Sequence, residues 1–395
     1  MKPLKGIKVL DLSKVLAGPL CTQALADLGA DVIKVEAPGL GDETRGWPPF
    51  AGPGLGAVYL SVNRNKRSVV VDLKTTEGRE IVHKLAKDSD IAIESFGHGV
   101  AERLGVDAKS LQAINQRLIH CSISGFGDVG PMRKAAGYDV ILQAFAGMMA
   151  LSGEDGGGHI RSPISPIDQT TGTHALTGIL AALLERGQSG KAATIKVSLF
   201  ESAMGLMRYN IQNFWIRGVE PEKCGSGHES LCPYQAFEAS DGPILIGVAN
   251  DNLWRKFCSI AGLDEIVEDP RFRTNAARAS NRTETVNLVQ ATVERRSVSF
   301  WDEELSKAGV PVAPINNLTK LLAHPHSEAS GIILNYDHPV AGPTRTIGQP
   351  IIYNNQSREP GDAPPVHGQH TDEVLSGLGM DQNKIASLRE AGVVA

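Results

Sequence analysis

The sequence predicts an α/β fold, a Rossmann-like large domain on a parallel sheet together with a smaller α/β domain. Three observations carry this. Over residues 7–124, short apolar runs of strand length alternate with helical patterns, as in a parallel sheet covered by helices on both faces. At 395 residues the chain is long for one hydrophobic core. And the periodic pattern lapses into Gly, Ser, Pro and charge between Arg217 and Pro233, after which a shorter, more charged segment begins.

Taken in order, Ile7–Leu12 reads as a strand, Pro19–Leu28 as a helix and Asp31–Val35 as a strand. Val69–Leu73 is a third strand, Gly78–Lys87 a helix, Ile91–Ser95 a strand, and Leu118–Ser124 closes the series before a glycine-rich turn at Gly125–Gly130. No GxGxxG follows the first strand, so no nicotinamide or flavin cofactor is expected. Gly137–Leu151 reads as a buried helix, Ala193–Val197 as a strand, and Leu199–Ile216 as a long helix rich in Met and aromatics, its Met residues filling a core. The strand Pro243–Ala249 and a run of helices to Ala308 form the small domain, which ends near Val310–Asn317. Strands at Ile332–Tyr336 and Thr344–Ile347, a Pro-rich passage, and helices at Thr371–Leu378 and Asn383–Glu390 complete the chain.

Within this frame the stretch SPISPIDQTTGTHALTGILAALLER, Ser162–Arg186, holds one acidic residue at the mouth of a long apolar helix. Pro163 and Pro166 place the helix start after Ile167, which makes Asp168 the N-cap. Ala175, Leu176, Ile179, Leu180, Leu183 and Leu184 recur at helical spacing and predict burial over most of the circumference. Asp168 is then either a cap alone or a nucleophile facing a cleft, held ionised by helix-terminal N–H groups. Candidate ligand contacts follow the strand ends, where open α/β sheets bind ligands. They are Ala17, Gly18 and Pro19 after the first strand, Arg45 after the second, Arg64, Lys66, Arg67, Lys74 and Thr75 about the third, and Phe96, Gly97, Gly99 and Arg103 after the fourth.

Composition excludes other classes. With 39 Lys plus Arg against 44 Asp plus Glu, the net charge of −5 argues against nucleic acid or a membrane surface as partner. The N-terminal MKPLKGIKVLDLS runs straight into a strand and no apolar run spans a bilayer, so a cytoplasmic protein is expected. Five scattered cysteines without CxxC or Cys/His spacing read as reduced structural thiols, with no metal site.

The segments AGPLCTQALADLGADVIKVE, SVNRNKRSVVVDLK, ESFGHGVAERLG, AAGYDVILQAFAGMM, PIDQTTGTHALTGILAALLE, HESLCPYQAF, GVPVAPINN and GQHTDEVL, in this order, resemble the class III CoA-transferases, the CaiB/BaiF or formyl-CoA transferase-like family. The resemblance covers essentially the whole chain and implies Asp168 as the nucleophile of a double displacement, with an acyl-CoA thioester as substrate and no permanently bound cofactor. It implies CoA contacts at Val15, Leu16, Ala17, Leu73, Lys74, Phe96, Gly97, Arg103 and Tyr138. Some members carry Arg where this chain has Ala37, so Arg45 or Arg67 is expected to substitute. A related acyl-CoA racemase needs two acid/base groups. Racemases of this type carry His where this chain has Tyr138, which removes one base and leaves Asp139 with Asp168 as a carboxylate pair. A third reading is a CoA-binding protein without catalysis, against which stands the presence of Asp168.

Among the transferases, GSGHESLCPYQAFEASDG, the AGYD segment and VPVAPINN resemble the branch that moves CoA from succinyl-CoA to small dicarboxylates such as glutarate, itaconate or mesaconate. A distal carboxylate needs a cation or N–H donors, for which Arg45, Arg67 and His228 are candidates. The family fold further implies an interlocked homodimer and a large domain of residues 1–217 completed by 326–395, with the linker and small domain at 218–325.

Overall fold

The chain is described from Met1 to Ala395 by a computed structural model. It divides into two compact units, one comprising 1–146, 162–208 and 325–395, the other 147–161 and 209–324. In the first, β1 (Lys8–Leu12), β2 (Asp31–Glu36), β3 (Lys66–Val70), β4 (Ile91–Glu94), β5 (Ile119–Ser124) and β6 (Thr194–Ser198) form one sheet in the order β3-β2-β1-β4-β5-β6. Every pair in it is parallel. The strand order reverses between β1 and β4, which opens a crevice at their carboxyl ends.

Helices close both faces. The helices of the first unit up to residue 146 are α1 (Ala17–Asp27), α2 (Ala57–Val62), α3 (Thr76–Lys87), α4 (Val100–Leu104), α5 (Ala108–Ile114) and α6 (Asp139–Phe145). The short α7 (Met148–Leu151) belongs to the second unit, and α8 (Pro166–Ser189) and α9 (Leu199–Leu206) return to the first. On one face Leu10, Leu12, Val35 and Val69 pack with Ile81, Val82 and Leu85 of α3, Leu111 of α5, and Val374, Leu375 and Ile385 of the two C-terminal helices. Each such aliphatic side chain contributes roughly 1.5 to 3 kcal/mol by leaving water. The α3 sequence is built for this position, with Thr75 accepting the Gly78 N–H at 3.0 Å, Glu77 in the first turn and Lys84 and Lys87 in the last. Elsewhere α8 packs along α1 and against β5 and β6. The two helices meet closely at Gly172, where a Cβ would lie 2.5 Å from the Ala17 carbonyl oxygen. That approach brings the first turn of α8 beside the start of α1.

The second unit has its own core. The antiparallel strands β7 (Tyr234–Ala239), β8 (Gly242–Gly247) and β9 (Val312–Pro314) pack helices through Trp254, Phe257 and Trp301, whose rings stack in series at 5.7 and 6.1 Å. In the first unit a hairpin of β10 (Ile333–His338) and β11 (Gly342–Ile347) precedes the C-terminal helices.

Several expectations are corrected. The helix α8 starts at Pro166, not after Ile167, because a proline at the first helical position forgoes an N–H that has no partner anyway. Asp168 is therefore the third helical residue and not the N-cap. Burial of α8 is one-sided, with Leu184 67% exposed. The stretch Gly137–Leu151 is two short helices broken at Gly147, which sits at φ 88, and Leu199–Ile216 breaks at Met207. Finally, β3 begins at Lys66, three residues earlier than its apolar run suggests. Lys66 and Ser68 point inward to buried carboxylates, so their polarity conceals core positions.

Candidate active site

Two cavities lie over the carboxyl ends of the strands, and Lys14 and Phe96 line both. The larger, 660 Å³, runs from the segment after β1 across β4, β5 and β6 and is lined by Val15, Leu16, Ala17, Phe96, Gly97, Tyr138 and Asp168. The smaller, 490 Å³, lies over β1 to β3 and is lined by Leu73, Lys74, Phe96 and Arg103. Lys74 and Arg103 are exposed, and neither side chain is held in an ion pair. Arg103 sits on α4 between two glycines in left-handed conformation, Gly99 and Gly105. The smaller cavity thus offers two exposed cations to an anionic group, and Lys14 and Phe96 join it to the cavity that Asp168 lines.

The electrostatics of Asp168 follow from a neighbour. Asp139, at the first turn of α6, accepts the backbone N–H groups of Ile167 at 2.8 Å and Asp168 at 3.1 Å, and takes a further hydrogen bond from Gln143. Asp139 thus caps α8, the role the sequence assigns to Asp168. Burial, and then the Asp139 charge, push the Asp168 carboxyl up to about 7. The expected stabilisation of its ionised form by helix N–H groups is absent because Asp139 holds them. Since Asp139 is 6% exposed and committed to this cap, it does not present a free base opposite Asp168, which weakens the racemase reading.

The remaining sequence candidates lie elsewhere. Arg45 is 1% exposed and grips Glu36 with two hydrogen bonds of 2.8 and 2.7 Å, stacks over Tyr59 at 3.7 Å and donates to the Pro365 carbonyl. It is a core residue, not a substrate contact. Arg67, on the edge strand β3, is paired with Asp31 at 2.6 Å and Glu373 at 3.0 Å. His228 belongs to the second unit, where its Nδ1 accepts the Ser230 N–H at 3.1 Å and its ring meets Tyr234 edge-on. Ala37 uses its carbonyl to hold His367 at 3.0 Å.

Sequence reasoning missed Lys34, Asp42 and Glu94. Lys34 and Asp42 are buried beneath the β1–α1 loop, and Glu94 is a buried residue of the larger cavity that accepts the Phe96 N–H at 2.7 Å. The signal was present for two of them. A charged residue within an apolar strand, DVIKVE or IAIE, sits at a buried position only with a partner.

A doubly wound parallel fold with a carboxyl of raised pKa, Asp168, at a cavity over its strand ends places a titratable group where open α/β sheets bind ligands. Residues 4–371 match the family described as CoA-transferase family III, and the chain belongs to it. It is similar to the succinyl-CoA:glutarate CoA-transferase of Homo sapiens, 36% identical over all of this chain and 90% of that protein. It is also similar to the succinyl-CoA:mesaconate CoA-transferase of Haloarcula hispanica, 33% identical over 98% of this chain and all of that protein. Among solved structures, a CAIB/BAIF family protein from Brucella suis superposes with a TM-score of 0.84 at 36% identity, covering 95% of this chain and 99% of the other. The protein is thus a class III CoA-transferase that uses CoA thioesters as substrates. No helix is long and apolar enough to cross a membrane.

Proposed function

We propose that the protein transfers CoA from succinyl-CoA to a small dicarboxylate through covalent intermediates on Asp168. The observation that carries this is the Asp168 carboxyl, free of hydrogen-bonding partners, at the cavity that continues into the basic one. Its carboxylate attacks the donor carbonyl to give a mixed anhydride and releases CoA thiolate. The thiolate attacks the aspartyl carbonyl of the anhydride, succinate leaves, and an aspartyl-CoA thioester remains. The acceptor carboxylate then attacks this thioester, freeing the thiolate and forming a new anhydride. Attack of the thiolate on the acceptor's acyl carbon regenerates Asp168 and releases the product thioester. Each step exchanges one acyl bond for another, so no oxidant or proton source is consumed. The low polarity that raises the Asp168 pKa also makes its carboxylate a stronger nucleophile.

Similarity to the glutarate and mesaconate enzymes supports a five-carbon dicarboxylate as acceptor, and itaconate is a third acid of that size. Incubation with succinyl-CoA and separate pools of glutarate, itaconate, mesaconate and monocarboxylates, read by mass spectrometry, should yield one dominant dicarboxyl-CoA. Exchange only with monocarboxylates would reject the acceptor class. Hydrogen–deuterium exchange at an α-carbon without any transfer would reject the transferase mechanism.

We also infer an interlocked homodimer. Large apolar side chains left uncovered within each unit support a second copy of the chain as their cover, among them Ile164 and Leu184 in the first and Trp215, Ile216 and Leu318 in the second. Sedimentation at micromolar concentration is expected to give twice the 42.1 kDa chain mass, and a monomer would reject this assembly.

A further inference from the structure

The loop that joins the two cavities carries a backbone strain that its own residues do not explain. Val15 sits at φ 70, in the left-handed region where a β-branched residue is an outlier. A strained residue of this kind persists only when its surroundings hold it. Here the Val15 N–H points at the carboxylate of Asp42, 3.3 and 3.2 Å from its two oxygens. Asp42 is neutralised by Lys34 at 3.0 Å, both side chains being 1% exposed, and the Lys34 ammonium also donates to the Ser13 carbonyl at 2.8 Å. On the preceding residue, the Lys14 N–H donates to the Ser95 hydroxyl at 3.0 Å. Deeper still, Asp11 accepts the Ser13 N–H and hydroxyl at 3.0 and 2.5 Å and is itself paired with buried Lys66 at 3.2 Å.

The loop is therefore clamped from below by two buried carboxylate–lysine pairs, Asp42–Lys34 and Asp11–Lys66. Replacing a buried pair by apolar residues is often neutral or stabilising, so its presence here points to conformational specificity. What the clamp specifies is the course of residues 14–17, whose backbone lines the cavity that holds Asp168.

We propose that Asp42 and Lys34 are positioning residues for CoA transfer. Acting through the backbone of Val15, they fix the left-handed bend that aligns the CoA thioester with Asp168. This rests on the reading of the two cavities as the thioester site. Without the pair, Val15 relaxes towards φ below zero, the segment 14–17 swings out of register, and the thioester binds in a looser pose.

The expected result for Asp42→Asn is a rise in KM for succinyl-CoA of roughly tenfold with kcat changed by less than about threefold, together with weaker binding of free CoA by calorimetry. Adding Val15→Gly to Asp42→Asn should recover most of that loss, because glycine takes the left-handed bend without the carboxylate. A purely structural role for Asp42 would lower the melting temperature, and Val15→Gly would then restore neither KM nor CoA affinity. Should Asp42→Asn fail to fold around an unpaired Lys34, the charge-neutral pair Lys34→Met with Asp42→Asn serves instead, with and without Val15→Gly. An unchanged KM in the folded variant, or a raised KM that glycine does not recover, overturns the proposal while wild-type transfer stands. If the wild-type protein binds no CoA, the reading of the cavities fails and this proposal with it.

Discussion

Asp168→Asn is expected to abolish CoA exchange, by a factor of about 10⁴ or more, while making the folded protein more stable above neutral pH. The two effects have one cause. Burial and the Asp139 charge raise the Asp168 pKa from 3.8 to about 7. Below pH 3.8 the group is protonated in both folded and unfolded chains and changes nothing. Between 3.8 and about 7 the unfolded chain ionises while the folded one retains its proton, so stability falls as pH rises. Above about 7 the cost is constant, on the order of 2 to 4 kcal/mol. The asparagine variant, which cannot ionise, should therefore unfold at higher urea than wild type at pH 8 and at similar urea near pH 4. For the wild type, kcat/KM for the donor should fall about tenfold per pH unit below the Asp168 pKa. A second substitution, Asp139→Asn, should move that midpoint downward. Retained exchange in Asp168→Asn would reject the covalent mechanism, whereas loss of exchange with no gain in stability would reject the electrostatic account of the site.

Arg45→Met should destabilise the protein by about 3 to 5 kcal/mol without raising KM for the acceptor acid. Burial alone would push Glu36 up, but the Arg45 hydrogen bonds and charge, with Lys34 and Ser68, hold it down to about 2. Its contribution to stability is fully present above the unfolded value near 4.5 and is lost as pH falls towards 2. Removing Arg45 leaves Glu36 buried beside Tyr59 with too little compensating charge. Urea titrations of variant and wild type should thus differ most at neutral pH and converge only as pH falls towards 2. If Arg45 instead bound the distal carboxylate, KM would rise and the unfolding midpoint would stay in place.

These cases show where the amino-acid order was sufficient. Apolar runs of strand length separated by helical periods specify a parallel sheet, because a strand covered on both faces must be apolar along its length. The segment that opens on Pro166 marked Asp168 as a residue at a helix mouth. Such features are local, and a neighbour in sequence is enough to read them.

Only the tertiary structure decided the rest. Asp139 and Asp168 are far apart in sequence, yet their separation in space sets both the helix cap and the pKa. Arg45 looked like a loop cation available to substrate and is instead buried against Glu36, because burial is a property of what packs over a residue and no spacing encodes it. Lys34 and Lys66 lie in strands as polar interruptions. The partner of Lys66, Asp11, becomes visible only when β1, β2 and β3 are placed side by side, and that of Lys34, Asp42, only when the loop after β2 folds back over the strand ends. A charge in an apolar strand announces that a partner exists, but the fold alone names it, since pairing depends on strand register and on which face each side chain occupies.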